Sequence, residues 1–194
     1  MSEPEKSCGS CNLCCKVVEV ESLAKPAGTW CVHTGPGKLC GIHGNHPWDC
    51  RKFACGWLQR PEIPDNWKPD ACHFILRSQM DGQRLAIDVD PDFPDAWRAE
   101  PFLGRIKQLS QAIWHDAGYV VVYIGAKVIA IFPEEDLDLG DYAAGDSLSL
   151  GYEYHGARRK PVVQVQSAGG ATRTVLGTAF RDLPASGASS AVQG

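Results

Sequence analysis

Eight cysteines between positions 8 and 55 are the residues of this chain best suited to chemistry: Cys8, Cys11, Cys14, Cys15, Cys31, Cys40, Cys50 and Cys55. A Cys-x2-Cys pair suits a metal because its two intervening residues make a tight turn that aims both sulfurs at one point. Cys8, Cys11 and Cys14 repeat that spacing, and Cys15 follows with no spacer. The bacterial ferredoxin run also begins with two such steps, but its fourth cysteine comes after three residues and precedes Pro, so ferredoxin is a poor match. Neighbouring side chains diverge, so Cys14 and Cys15 serve two centres more easily than one. A thiolate shared between two metals is the other arrangement. Eight cysteines divide into two four-ligand centres, or into one polynuclear centre beside a structural zinc. The plainer alternative is one four-cysteine centre, with the other thiols acting as small buried hydrophobes.

The ninth cysteine, Cys72, stands outside the cluster and is expected to be a buried structural thiol. An odd number of cysteines and tight local spacing argue against a disulfide framework. The opening Met1–Lys6 is too polar and short for the apolar core of a secretory signal. The expected compartment is therefore the cytoplasm, where thiols stay reduced. His33, His43 and His46 lie within the cysteine segment as alternative ligands, although a loop histidine is more often solvated. A divalent metal with four thiolates carries a formal charge of about −2 and needs donors nearby. Lys16, Arg51 and Lys52, each beside a cysteine or the next residue along, are placed to supply them.

Elements must hold these residues in place, and the two parts of the chain differ in how they do so. Residues 1–60 form the cysteine-cluster module, rich in Gly, Pro and His and poor in branched aliphatics. Such a segment cannot offset its chain entropy without a cross-link, and metal-binding free energy would become folding free energy. A connector with three prolines, Arg60–Pro69, leads into residues 61–183, which read as an α+β region packed on the module. Residues 184–194, rich in Ala, Ser and Gly, read as a disordered tail. The expected fold is therefore α+β: an irregular metal-stabilised module, then a small, mostly antiparallel sheet with one main helix.

Within the second part, His73–Ser78 and Arg84–Val89 read as strands joined by a turn at Asp81-Gly82. Phe102, Ile106, Leu109 and Ile113 recur at helical spacing, which predicts a helix from about Pro101 to Asp116, ended by Gly118. Tyr119–Ile124 and Lys127–Phe132 flank Gly125-Ala126, a tight hairpin. Ser147–Tyr154 and Val162–Val165 are further strands. The run 90–97, with four alternating acids reaching back to Asp88, reads as a capped loop, and Glu134–Asp138 as a solvated acidic stretch.

The run Cys8-Gly-Ser-Cys-Asn-Leu-Cys-Cys15, with Cys50-Arg-Lys-Phe-Ala-Cys-Gly-Trp57, resembles the CxxCxxCC cysteine-cluster family, the YkgJ-type zinc- or iron-chelating proteins. Gly28-Thr-Trp-Cys31, Cys40-Gly-Ile-His43 and Pro47-Trp-Asp-Cys50 fit the same layout, over about a quarter of the chain. Position by position, the resemblance implies metal ligation by Cys8, Cys11, Cys14, Cys15, Cys31, Cys40, Cys50 and Cys55. It implies zinc or iron, including an iron–sulfur cluster, and little more.

Three functions follow. The first is metal chelation for structure, metal handling or sensing. The second is an iron–sulfur redox or protein-modification accessory, and the third a module whose metal shapes a surface for a protein partner or RNA. A net charge of −4 gives no broad basic field for nucleic acid, and no apolar run approaches the roughly 20 residues that span a bilayer. No P-loop, Gly-x-Ser-x-Gly elbow or His-Glu-x-x-His pair is present, so no catalytic motif marks the chain as an enzyme. Metal ions are the expected partners.

Overall fold

Consecutive buried residues at Phe74–Leu76 in Phe74–Gln79 (β1) and at Ala86–Val89 in Arg84–Val89 (β2) bury both faces of each strand, and the first sheet is built around them. The two pair antiparallel, with Phe74 opposite Val89 and Leu76 opposite Ile87. Met80–Gly82, a 3-10 turn, joins them where Asp81-Gly82 was expected to turn the chain. In the computed structural model, which describes residues 6–114 and 116–182, the chain folds as two units, Met1–Ala144 and Gly145–Gly194. The boundary expected near residue 60 falls inside the first unit, and the tail expected at 184–194 lies outside the described residues.

The first unit contains one five-stranded sheet in the order β1-β2-β3-β4-β5. Its remaining strands are Tyr119–Ile124 (β3), Lys127–Ile131 (β4) and Asp136–Asp141 (β5). Every neighbouring pair is antiparallel except β2 and β3, which run parallel with Ile87 opposite Val122. A parallel pair needs a long crossover, and the helix Phe102–Trp114 lies in the connection between these strands. Four one-turn helices precede it, at Cys14–Val17 (α1), Trp48–Arg51 (α2), Gly56–Gln59 (α3) and Pro69–Cys72 (α4), so Phe102–Trp114 is α5.

One face of the sheet carries the main core. Phe74, Ile87, Val89, Val120 and Val122 from the strands meet Ile106 of α5 and the buried Trp67 and Trp97. Removing a side chain such as Ile106 from water is worth about 1.5–3 kcal/mol, and Ile106 is fully buried. The alternate residue Ile75 packs instead with Leu13 and Val17 of the cysteine segment, placing that segment against the other face of β1. The second unit is a separate small sheet of Ser147–His155 (β6), Arg158–Gln166 (β7) and Thr172–Leu176 (β8), with Arg181–Asp182 (β9) also pairing β7. Its buried side includes Leu148, Val163 and Val165.

The α+β class, the strands β1 to β4, β6 and the main helix agree with the sequence expectations, and β7 contains the expected Val162–Val165. Several local readings are corrected. Glu134–Asp138 is not simply solvated: from Asp136 it enters β5, whose Leu137 and Leu139 are buried while Asp136 and Asp138 face outward. Strand β7 begins at Arg158, earlier than the expected Val162, and Arg159 is buried over the Tyr152 ring at 4.3 Å. Cys72 is the last residue of α4. The left-handed residue after α5 is Ala117, with φ of 58°. Gly118 is needed for a different reason: a Cβ there would lie 2.4 Å from the Gln83 carbonyl oxygen.

Gly118→Ala should therefore destabilise the protein by about 1–3 kcal/mol through overpacking. Urea unfolding followed by circular dichroism measures this as a lower midpoint at unchanged slope.

Candidate metal centre

The cysteines ride on short pieces of structure anchored to the sheet. Gly9, at φ of 55°, allows the turn in which the Cys11 amide donates to the Cys8 carbonyl at 2.9 Å. Leu13 and Val17, four apart on the single turn of α1, are both buried with Ile75. Cys14 and Cys15 lie between them, and the Cys14 thiol donates a hydrogen bond to the Cys15 sulfur. Cys55 packs against the same Leu13–Val17–Ile75 group as Cys11. Gly56 holds it there, because a Cβ at position 56 would come within 2.9 Å of the Leu76 Cβ.

The remaining cysteines approach from the loops. The Cys31 amide donates to the Cys15 carbonyl at 3.0 Å, and the Gly41 amide donates to the His33 carbonyl at 2.8 Å. These two bonds bring the Cys31 and Cys40 segments beside Cys15. The Asn12 amide nitrogen ties down the intervening turn by donating to the Gly35 and Lys38 carbonyls at 2.9 and 2.6 Å. Cys50 sits on α2.

Electrostatic neighbours place the thiols in two overlapping groups. Cys8 and Cys11 each feel Cys55, Cys14 feels Cys15, Cys11 and Cys8, and Cys8 also feels Cys15 across the division. Cys50 feels Cys15, Cys31 and Cys40. Cys14 and Cys15 stand on the boundary and couple the groups. All nine cysteines of the chain are free of disulfides. Among the described residues, no group of three or more His, Cys, Asp and Glu side chains stands ready to hold a metal ion.

Thiol acidity varies sharply across the cluster. The hydrogen bond from Cys14 lowers the Cys15 pKa to about 7, with burial opposing and the Lys25 charge assisting. Donating that bond, together with burial, raises the Cys14 pKa. Burial is also the main cause that raises Cys8, Cys11 and Cys50. Cys72 is 1% exposed, its thiol donates to the Trp67 and Phe74 carbonyls at 3.3 and 3.2 Å, and burial pushes it up to about 12. It is the buried thiol the sequence suggested.

The charges around the cluster differ from expectation. Lys16 is buried, but its ammonium pairs with Asp90 and with Asp92 at 2.6 Å. Burial alone would lower its pKa, yet the hydrogen bonds it donates to Asp90 and Asp92 win and raise it. The acidic run 90–97 is thus a capped loop, with the Asp92 amide donating to Asp90 Oδ1 at 3.0 Å, and it also clamps the cysteine segment to the end of β2. Arg51 and Lys52 are exposed, and Lys52 lies 3.9 Å from Asp49.

The cation that serves the cluster is Lys25, which the sequence reading passed over. It is only 6% exposed, and its ammonium donates to the Lys16 and Val18 carbonyls. Burial lowers its pKa to about 8, while Cys15, Cys31, Cys14 and Cys50 pull it back up. Among the described residues no carboxylate forms an ion pair with it, since nearby Asp88 is held by Arg77 at 2.5 and 2.6 Å. No spacing rule marks a lysine between Ala24 and Pro26, so only the folded chain reveals it. His43 and His46 stack on one another with ring centroids 5.1 Å apart, and His73 stacks on Phe93.

Comparison of the chain with protein-family models, curated proteins and solved structures returned no match.

In reduced, metal-free protein at pH 7.5, iodoacetamide should label Cys15 far ahead of Cys72. A thiol of pKa about 7 is mostly thiolate there, whereas one at about 12 holds on the order of one part in 10⁴ to 10⁵. Mass-spectrometric peptide mapping checks the order, and the expected rate ratio exceeds a hundredfold.

Proposed function

We propose that the first unit is a metal-chelating protein with two four-thiolate centres for zinc or iron. One centre uses Cys8, Cys11, Cys14 and Cys55, and the other Cys15, Cys31, Cys40 and Cys50. The observation that carries this reading is Lys25. A buried ammonium without a carboxylate partner requires anions nearby, and the groups it faces are Cys15, Cys31, Cys14 and Cys50. Neutral thiols do not meet that requirement, but thiolates on a metal do.

The donor chemistry fits. Sulfur ligands select zinc and iron, and the thiols are unbridged. Closing each set requires loss of the thiol protons and rotation of the sulfurs about their Cα–Cβ bonds, both of which accompany metal binding. Bound metal supplies cross-links, and the segment from Cys8 to Trp57 needs them: its buried hydrophobics are Leu13, Val17, Val20, Cys31 and Trp57. A closed four-thiolate site keeps no open position for substrate, which favours a structural or metal-handling role over catalysis. The resemblance to the CxxCxxCC family points the same way.

Metal analysis of anaerobically purified protein tests the proposal. Wild-type and Cys72→Ser protein should each hold about two metal ions, and Cys11→Ser and Cys50→Ser about one each. Loss of metal in Cys72→Ser, or full metal in Cys50→Ser, would contradict the division. Strong visible absorption near 400 nm, a rough expectation for iron–sulfur chromophores, would move the assignment to the redox accessory.

A further inference from the structure

A cavity of about 310 Å³ opens on the first unit between the proline-rich connector, the start of β2 and α5. Its walls are mostly apolar, formed by the buried Trp67 and Leu76 with Leu85 and Leu109. Its size is at the lower end of pockets that take small organic ligands. Two arginines line it as well: Arg60, at the end of α3, and Arg105, in the first half of α5. Both are exposed, which places them toward the mouth.

These guanidiniums are not consumed by the fold. Among the described residues Arg60 makes no side-chain hydrogen bond or ion pair, and Arg105 bonds only the neutral Gln108 amide oxygen at 3.0 Å. One carboxylate, Glu62, also lines the cavity without an ion pair among the described residues. Two guanidiniums against one carboxylate leave a single positive charge, which matches a monoanion. Lys6 steadies this wall by donating to the Arg60 and Ile63 carbonyls. Planar guanidinium groups recognise carboxylates through paired hydrogen bonds.

We infer that this cavity binds a small amphipathic monocarboxylate, its acyl or aryl chain on Trp67, Leu76, Leu85 and Leu109 and its carboxylate at Arg60 and Arg105. The apolar walls give affinity through buried area, and the guanidiniums distinguish an acid from its neutral analogue. The inference stands apart from the metal proposal, because no cysteine lines the cavity.

Calorimetric titration of the full chain, as purified with whatever metal it holds, tests this with octanoate and 4-phenylbutyrate as probes. Their amides, octanamide and 4-phenylbutanamide, are the controls. At least one acid should bind saturably at one site per chain and at least tenfold more tightly than its amide. In the Arg60→Gln/Arg105→Gln variant that acid should weaken at least tenfold, with circular dichroism and metal content unchanged. Both arginines are exposed, so the variant is expected to fold. Absence of saturable binding by either acid, equal binding of acid and amide, or indifference to the arginine substitutions would each overturn the inference.

Discussion

The cysteine half of the first unit is built around a buried ammonium, that of Lys25, which faces thiols. Removing an ammonium from water costs several kcal/mol unless an anion compensates it. Two backbone carbonyls accept its protons, yet carbonyls are neutral and leave the charge itself unbalanced. Asp88 lies nearby but shares its charge with Arg77, and the other groups that Lys25 faces are Cys15, Cys31, Cys14 and Cys50. Cys15 is acidified by the Cys14 hydrogen bond. The proposed metal-bound thiolates would supply the negative charge that the buried ammonium calls for.

The sheet supplies the rest of the scaffold. Leu13 and Val17 fasten α1 to Ile75, and Lys16, between them in sequence, is clamped by Asp90 and Asp92 at the end of β2. One helical turn is too short to be stable alone, so α1 owes its conformation to these contacts. Once α1 is placed, Cys14 and Cys15 lie at the junction between the two thiol groups. Gly56 completes the arrangement by letting Cys55 approach β1 without a clash at Leu76. The cysteine segment is thus irregular in backbone yet firmly docked on one face of a regular sheet.

Strong periodicity made much of this visible beforehand. Strands β1 to β4 and α5 announce themselves through alternation, helical spacing and turn residues, and the structure places them within one or two residues of expectation. Strand β5 escaped because its outward face is Asp136 and Asp138, so charge masked the alternating Leu137 and Leu139. The cysteines were legible as a group because their spacing is local. Their sorting was not, because it depends on backbone bonds such as Cys31 to Cys15 that join distant segments. Charge roles were the least legible: Lys16 sits beside Cys15 in sequence but spends its charge on Asp90 and Asp92, while Lys25, distant in sequence from most of the cysteines, is the cation that faces them. Adjacency along the chain does not determine which partner a long side chain reaches.

The most direct measurement is metal K-edge X-ray absorption on the anaerobically purified full chain. Two four-thiolate centres require a coordination shell of about four sulfurs, at about 2.3 Å if the metal is zinc. A shell dominated by nitrogen or oxygen at about 2.0–2.2 Å, or a protein that carries no bound metal, would contradict the cysteine assignment.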